Sequence, residues 1–156
     1  MPQKDTSHDS IKQALINDGW EITDDPYVIN YGRLFLYIDL GATSVTGAAQ
    51  RSEGVIIGAQ RDGSSIAIEI KEFRGPSLVA DLQQAVGQYV MYQLLLKRTD
   101  PERQLYLAIT SSVYERLFNQ PIARIMVEDV PLWLVIIDTE RLEIKEWIRP
   151  RSTGKL

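Results

Sequence analysis

Ser65-Ile66-Ala67-Ile68-Glu69-Ile70-Lys71 is the stretch that decides the fold. Its residues alternate, so in an extended chain Ile66, Ile68 and Ile70 share one face while Ala67, Glu69 and Lys71 share the other. The segment reads as a buried strand that presents a carboxyl and an ammonium in the same direction. Arg61-Asp62-Gly63-Ser64, just before it, carries a hairpin-turn signal.

Upstream, Leu34-Phe35-Leu36-Tyr37-Ile38-Asp39-Leu40 is apolar and β-prone. It reads as one mostly buried strand closed by Gly41, with Asp39 its one charged residue. Downstream, Gly75-Pro76-Ser77 introduces the longest helix, about residues 78–98, with Ser77 as N-cap and Asp81 near the positive end of the dipole. On that helix Gln84, Gln88 and Tyr92 recur every four residues and form a polar stripe, with Gly87 permitting close approach.

Around this centre the remaining elements are simpler. Asp5, Thr6 and Ser7 offer N-caps for a first helix that runs to Asp18, where Gly19 stops it. Trp20 to Thr23 begins extended chain, Asp24-Asp25-Pro26 turns, and Thr43 to Gly54 reads as an exposed loop or irregular hairpin. Residues 104–110 read as a strand, 111–118 as a short helix, and 132–137 and 142–148 as two further strands. The expected order is α-β-β-β-α-β-α-β-β, an α/β domain over 1–148, followed by a loose basic tail at 149–156.

A chain of 156 residues with 44% apolar and 24% charged content is long enough for one substantial core. It has no cysteine and a single histidine, His8. Disulfides, thiolate zinc sites and cysteine nucleophiles are thereby excluded, and serine–histidine or multi-histidine arrangements are hard to build. Carboxylate, lysine and magnesium chemistry is what remains. Met1 to Ser10 lacks the apolar run of a signal peptide and no stretch is long enough for a membrane span, so a cytoplasmic protein is expected. The net charge of −4 weighs mildly against a domain that grips DNA unaided. Its visible basic clusters are Lys97/Arg98 and the tail from Arg149 to Lys155.

An acid ending one strand and an E-x-K on one face of the next supply two carboxylates for a hard cation, with an ammonium beside them. Asp39 and Glu69 would hold Mg²⁺ or Mn²⁺, with the backbone carbonyl of Ile70 as a further ligand. Lys71 would orient the attacking water or offset charge developing on phosphate. Against this stands the plainer reading of ordinary polar residues on a half-exposed strand, or a structural ion-pair cluster. E-x-K is a weak signal alone; the glutamine stripe and the order of the elements strengthen it.

That order, with Gln88-Tyr89-Val90-Met91-Tyr92 after the E-x-K, resembles the PD-(D/E)xK nucleases, restriction-endonuclease-like proteins with a central mixed sheet flanked by helices. In many of them the first helix adds an acid, and counting back from Gly19-Trp20 brings His8 or Asp9 to that position. More closely, the chain resembles the XisH family, controlling factors for excision of the fdxN element. The resemblance rests on His8-Asp9, Asp18-Gly19-Trp20-Glu21-Ile22-Thr23, Asp39-Leu40-Gly41-Ala42, Ile68-Glu69-Ile70-Lys71, Gly75-Pro76-Ser77, Gly87-Gln88-Tyr89-Val90 and Asp100 to Ala108. The segment from Thr43 to about Ile56 is longer than that family leads one to expect.

The resemblance implies a role in programmed DNA rearrangement, with DNA, an XisI-like companion protein and a site-specific recombinase as partners. Two readings follow. One is a divalent-metal-dependent DNA endonuclease acting through Asp39, Glu69, Lys71 and Gln88. The other is a non-catalytic nuclease-fold accessory factor that binds DNA and recombination partners. The oligomeric state is open, with a homodimer the common arrangement for proteins acting on duplex DNA.

Overall fold

The structure is a computed structural model and describes residues 6–44 and 64–150. Thr43 and Ser44, expected to open an exposed loop, are instead strand residues paired with Glu21 and Trp20, with Ser44 buried, because the chain continues its ladder there; the rest of that expected loop lies outside the described residues, as do the turn residues 61–63 and the tail 151–156. The described elements are, in order, α1 (Thr6–Asn17), β1 (Trp20–Asp24), β2 (Tyr27–Tyr31), β3 (Leu34–Ile38), β4 (Leu40–Ser44), β5 (Ser65–Ile70), α2 (Leu78–Thr99), β6 (Gln104–Thr110), α3 (Ser111–Phe118), α4 (Pro121–Asp129), β7 (Leu134–Asp138) and β8 (Glu143–Ile148).

Six strands form one mixed sheet in the order β1-β4-β5-β6-β7-β8, and β2 and β3 pair as a separate hairpin. β5, β6 and β7 run parallel in the centre, while β4 and β8 join them antiparallel. A parallel pair needs a long crossover, and α2 supplies the one between β5 and β6. Alternation along each central strand sends side chains to two cores. Ile66, Ile68 and Ile70 pack with Tyr106, Ala108, Val135 and Ile137 under α1, where Ile11, Ala14 and Leu15 are fully buried. Ala67, Leu105, Leu107, Ile109, Leu134 and Ile136 face the layer of α2, α3, α4 and the hairpin. The alternation of 65–71 is thus borne out, and the fold is α/β with helices on both faces of a mixed sheet.

Two further expectations about the chain before β5 are corrected. Residues 34–40 are not one buried strand. They are the end of a hairpin and the start of a central strand, broken at Asp39, and Leu34, Phe35 and Tyr37 are exposed. Only Ile38 and Leu40 are fully buried, on opposite faces of the fold. Tyr27–Tyr31 is also a strand, joined to β3 through Gly32-Arg33 with Gly32 at φ +62°. A glycine opening a two-residue turn has the backbone twist that such a hairpin needs.

The hairpin is fixed to the domain by Tyr27. Its hydroxyl donates to Asp100 Oδ2 (3.0 Å), and the Arg103 guanidinium lies 4.4 Å from its ring centre. Arg103 also donates to Asp100 (2.9 Å) and to the Ile66 carbonyl (2.9 Å). Gly41, where the chain enters β4, is required by close approach. A Cβ there would lie 2.9 Å from Asp24 Oδ2 and 3.1 Å from Tyr27 Cδ2. Gly87 differs, since a Cβ there would meet nothing within 4 Å, so no neighbour among the described residues requires a glycine. A further helix, α4, was not expected; it starts at Pro121 without a side-chain cap.

Candidate functional site

The site forms where β5 outruns β4. Pairing between the two begins at Leu40 opposite Ile68, so the backbone N–H of Ile70 projects past the first residue of β4. A buried donor there needs an acceptor. Asp39 provides it through its side chain, Oδ2 accepting from Ile70 N at 2.8 Å. The break that ends β3 therefore turns a charged residue into a substitute ladder partner, and Asp39 is held against the strand that carries Glu69 and Lys71.

Glu69 is adjacent to Asp39, within side-chain hydrogen-bonding reach, and its Oε1 is buried without a hydrogen-bond partner. Burial, then the negative charge of Asp39, pushes its carboxyl up to about 8, against a smaller opposing pull from the Lys71 ammonium. At neutral pH the Glu69 carboxyl keeps its proton unless a cation replaces it.

Lys71 continues the strand, its N–H donating to Ala108 O (3.1 Å), and its ammonium donates to Gln84 Oε1 at 2.9 Å. The expected stripe on α2 runs inward from this point. Gln84 is exposed, Gln88 is half-buried and Tyr92 is buried. The Tyr92 hydroxyl is pushed up by burial first, then by the charges of Glu69 and Asp39, so it stays a donor facing the carboxyl pair. The N-terminus of α2 is held by Ser77 Oγ, which accepts from Ala80 N (3.1 Å), and by Asp81, which accepts from Gly75 N (2.8 Å).

The first helix contributes differently. His8 is buried, with Nε2 3.1 Å from Asp25 Oδ1, and Lys12 donates to Asp25 Oδ2 (2.8 Å). Asp9 is exposed. Among the described residues no group of three or more His, Asp or Glu side chains converges, so neither His8 nor Asp9 completes a three-acid cluster with Asp39 and Glu69. Glu72 was missed by sequence reasoning. Its Oε2 accepts from both the backbone N–H and the hydroxyl of Ser7, and its Oε1 pairs with Arg74 at 2.6 Å. It caps α1 at the positive end of the helix dipole and ties that helix to the segment after Lys71. The cap belongs to a residue 65 positions away, so no local pattern announces it.

Two adjacent carboxyls, one with a buried oxygen lacking a partner, form a donor set that a hard divalent cation accepts. The residues fit such an ion. Fold and site together define a class: an α/β protein with an acid, an E-x-K strand and a glutamine-bearing helix gathered at one end of a mixed sheet.

The comparisons identify the family. The family model described as XisH protein matches residues 1–145, and the chain belongs to that family. The crystal structure of an XisH family protein from Nostoc punctiforme PCC 73102 is 32% identical, with a TM-score of 0.76, over 93% of this chain and 100% of that one. That of an fdxN element excision controlling factor protein from Anabaena variabilis is 29% identical, with a TM-score of 0.76, over 94% of this chain and 100% of that one. No curated protein matches. Among the described residues no helix is long and apolar enough to cross a membrane.

Proposed function

We propose that the chain acts in excision of a DNA element, as the name of its Anabaena variabilis relative indicates for that protein, and that it does so as a PD-(D/E)xK-type, divalent-metal-dependent DNA endonuclease. One observation carries the reading. A buried Glu69 oxygen without a hydrogen-bond partner, in a carboxyl whose pKa is raised by burial and then by the charge of the adjacent Asp39, costs stability unless something uses it.

Asp39, Glu69 and the carbonyl of Ile70 would hold Mg²⁺ or Mn²⁺. Such an ion, when bound, polarises a phosphoryl oxygen and activates water. Lys71, steadied by Gln84, offers an ammonium to the phosphate and to the charge that grows on it. Gln88, half-buried one turn further along α2, would present its amide to the same space. The Tyr92 hydroxyl closes the inner end as a neutral donor. Recruitment to DNA falls to partners, an XisI-like companion and a recombinase, in keeping with the net charge of −4.

A second reading, the non-catalytic accessory factor, is favoured by the convergence of only two carboxyls among the described residues. The deciding experiment is a strand-cleavage assay on duplex, single-stranded and branched DNA with Mg²⁺ or Mn²⁺, with and without the companion protein. Cleavage that needs metal and falls by roughly 100-fold or more in Lys71→Ala supports the nuclease. Lys71→Ala as active as wild type removes Lys71 from the catalytic site and sinks the assignment made here, whereas no cutting by protein that binds the metal assigns the accessory role.

A further inference from the structure

Eleven large apolar side chains are exposed among the described residues, and ten of them lie on the hairpin, α2 and α4, elements of a single face of the sheet. The eleventh is Ile16, on α1. On the hairpin the inward positions are Ile29 and Ile38, and the outward ones include Val28, Phe35 and Tyr37, exposed by 46%, 55% and 58%. On α2 an advance of about 100° per residue sets Val90, Met91 and Leu94 opposite the buried Ala85, Tyr89, Tyr92 and Leu96. Ile122 and Ile125 continue the apolar surface on α4, which packs beside α2.

Leaving out Tyr31 and Leu34, which lie on the inward side of the hairpin at its tip, eight outward side chains at 44–58% exposure each present a surface on the order of 700 Å². That exceeds the largest apolar patch of an ordinary monomer, about 300–600 Å², and approaches the about 800 Å² per partner that a standard stable interface buries. The patch is also neutral at its centre, since α2 carries no charged residue from Leu82 to Leu96. A neutral apolar surface suits a surface like itself and not a phosphate backbone.

We infer that this face is the interface of a symmetric dimer, with α2 packed antiparallel against α2 of a second copy of the chain. The stripe is self-complementary. A two-fold axis between Val90 and Met91 brings Leu94 of one copy over Gly87 of the other, and the reverse. Gly87 is the position where a Cβ would meet nothing within 4 Å, so it forms an open notch for an incoming side chain. The glycine that nothing among the described residues requires gains its reason across the two-fold, where close approach of two helices favours a small residue.

The test uses the full chain. Sedimentation equilibrium at about 10–100 µM gives twice the 17.7 kDa chain mass for the wild type. Leu94→Glu and, separately, Phe35→Glu each weaken association by roughly 100-fold, because the substitution enters the interface twice. Both sites are more than half exposed, so circular dichroism matches wild type. The chain has no cysteine, so Val90→Cys is a single reporter; a short bis-maleimide links it into a covalent dimer, while Ile16→Cys stays uncoupled. A monomer at 100 µM overturns the inference, and so does a dimer that survives both glutamates and fails to couple at position 90. Neither outcome bears on cleavage, so this inference and the nuclease reading stand or fall separately.

Discussion

Replacing Glu69 by glutamine isolates the strain in the candidate site. The Glu69 carboxyl moves from an ordinary value of 4.5 to about 8 because folding buries it beside Asp39. Between those two pH values the folded chain holds a proton that the unfolded chain has released, so stability falls as pH rises. The loss accrues at about 1.4 kcal/mol per pH unit, reaches roughly 3 kcal/mol by pH 7 and is complete above about 8. Glutamine keeps the neutral shape and removes the titration. The Glu69→Gln protein should therefore gain on wild type as pH rises from 5 to 8. The gap at pH 7 should be roughly 6–12 °C in melting temperature for a domain of this size. Thermal unfolding of both proteins in chelator across that range measures it. Added Mn²⁺ should raise the wild-type melting temperature at pH 7, releasing close to one proton, and leave Glu69→Gln nearly unmoved. Melting temperatures that run parallel from pH 5 to 8 would refute the buried, proton-sharing carboxyl.

Two further substitutions check how the site is framed. Gly41→Ala drives a Cβ to 2.9 Å from Asp24 Oδ2 and 3.1 Å from Tyr27 Cδ2, and should cost about 1–3 kcal/mol in urea denaturation; a neutral effect would mean the entry to β4 is looser than described. Tyr27→Phe keeps the ring over Arg103 but loses the bond to Asp100, and should cost about 1 kcal/mol. Its first sign should be faster amide exchange in β2 and β3, with β5 and β6 unchanged.

Much of the centre was legible because local pattern and environment agree there. The strict alternation of 65–71 reports a strand covered on both faces, and Ser77 caps α2 as its position suggests. Around Asp39 the two diverge. Apolar density in 34–40 reads as burial, yet half of it is surface, and hydrophobicity alone cannot separate a core from an exposed apolar face. The strand Tyr27–Tyr31 is not expected from its own residues, although Gly32-Arg33 is a two-residue turn between apolar runs. The contribution of Glu72 could not be read at all, because its partner Ser7 is remote in sequence. The glutamine stripe was visible as spacing, but its gradient from exposed Gln84 to buried Tyr92 depends on how α2 tilts over the sheet.

Asp39 has one more consequence. It belongs to neither sheet, yet its carboxylate is tied to the backbone of β5 at Ile70, and Leu40 follows in register with Ile68. The acid's position is thus referenced to the central strand and not to the hairpin that precedes it. Descendants of this chain could redecorate the outward positions Val28, Phe35 and Tyr37 and keep the spacing of Asp39, Glu69 and Lys71 intact. The outer face of the hairpin is free to follow changing partners while Tyr27 and Ile29 hold its inner face and the chemistry behind it stays in place.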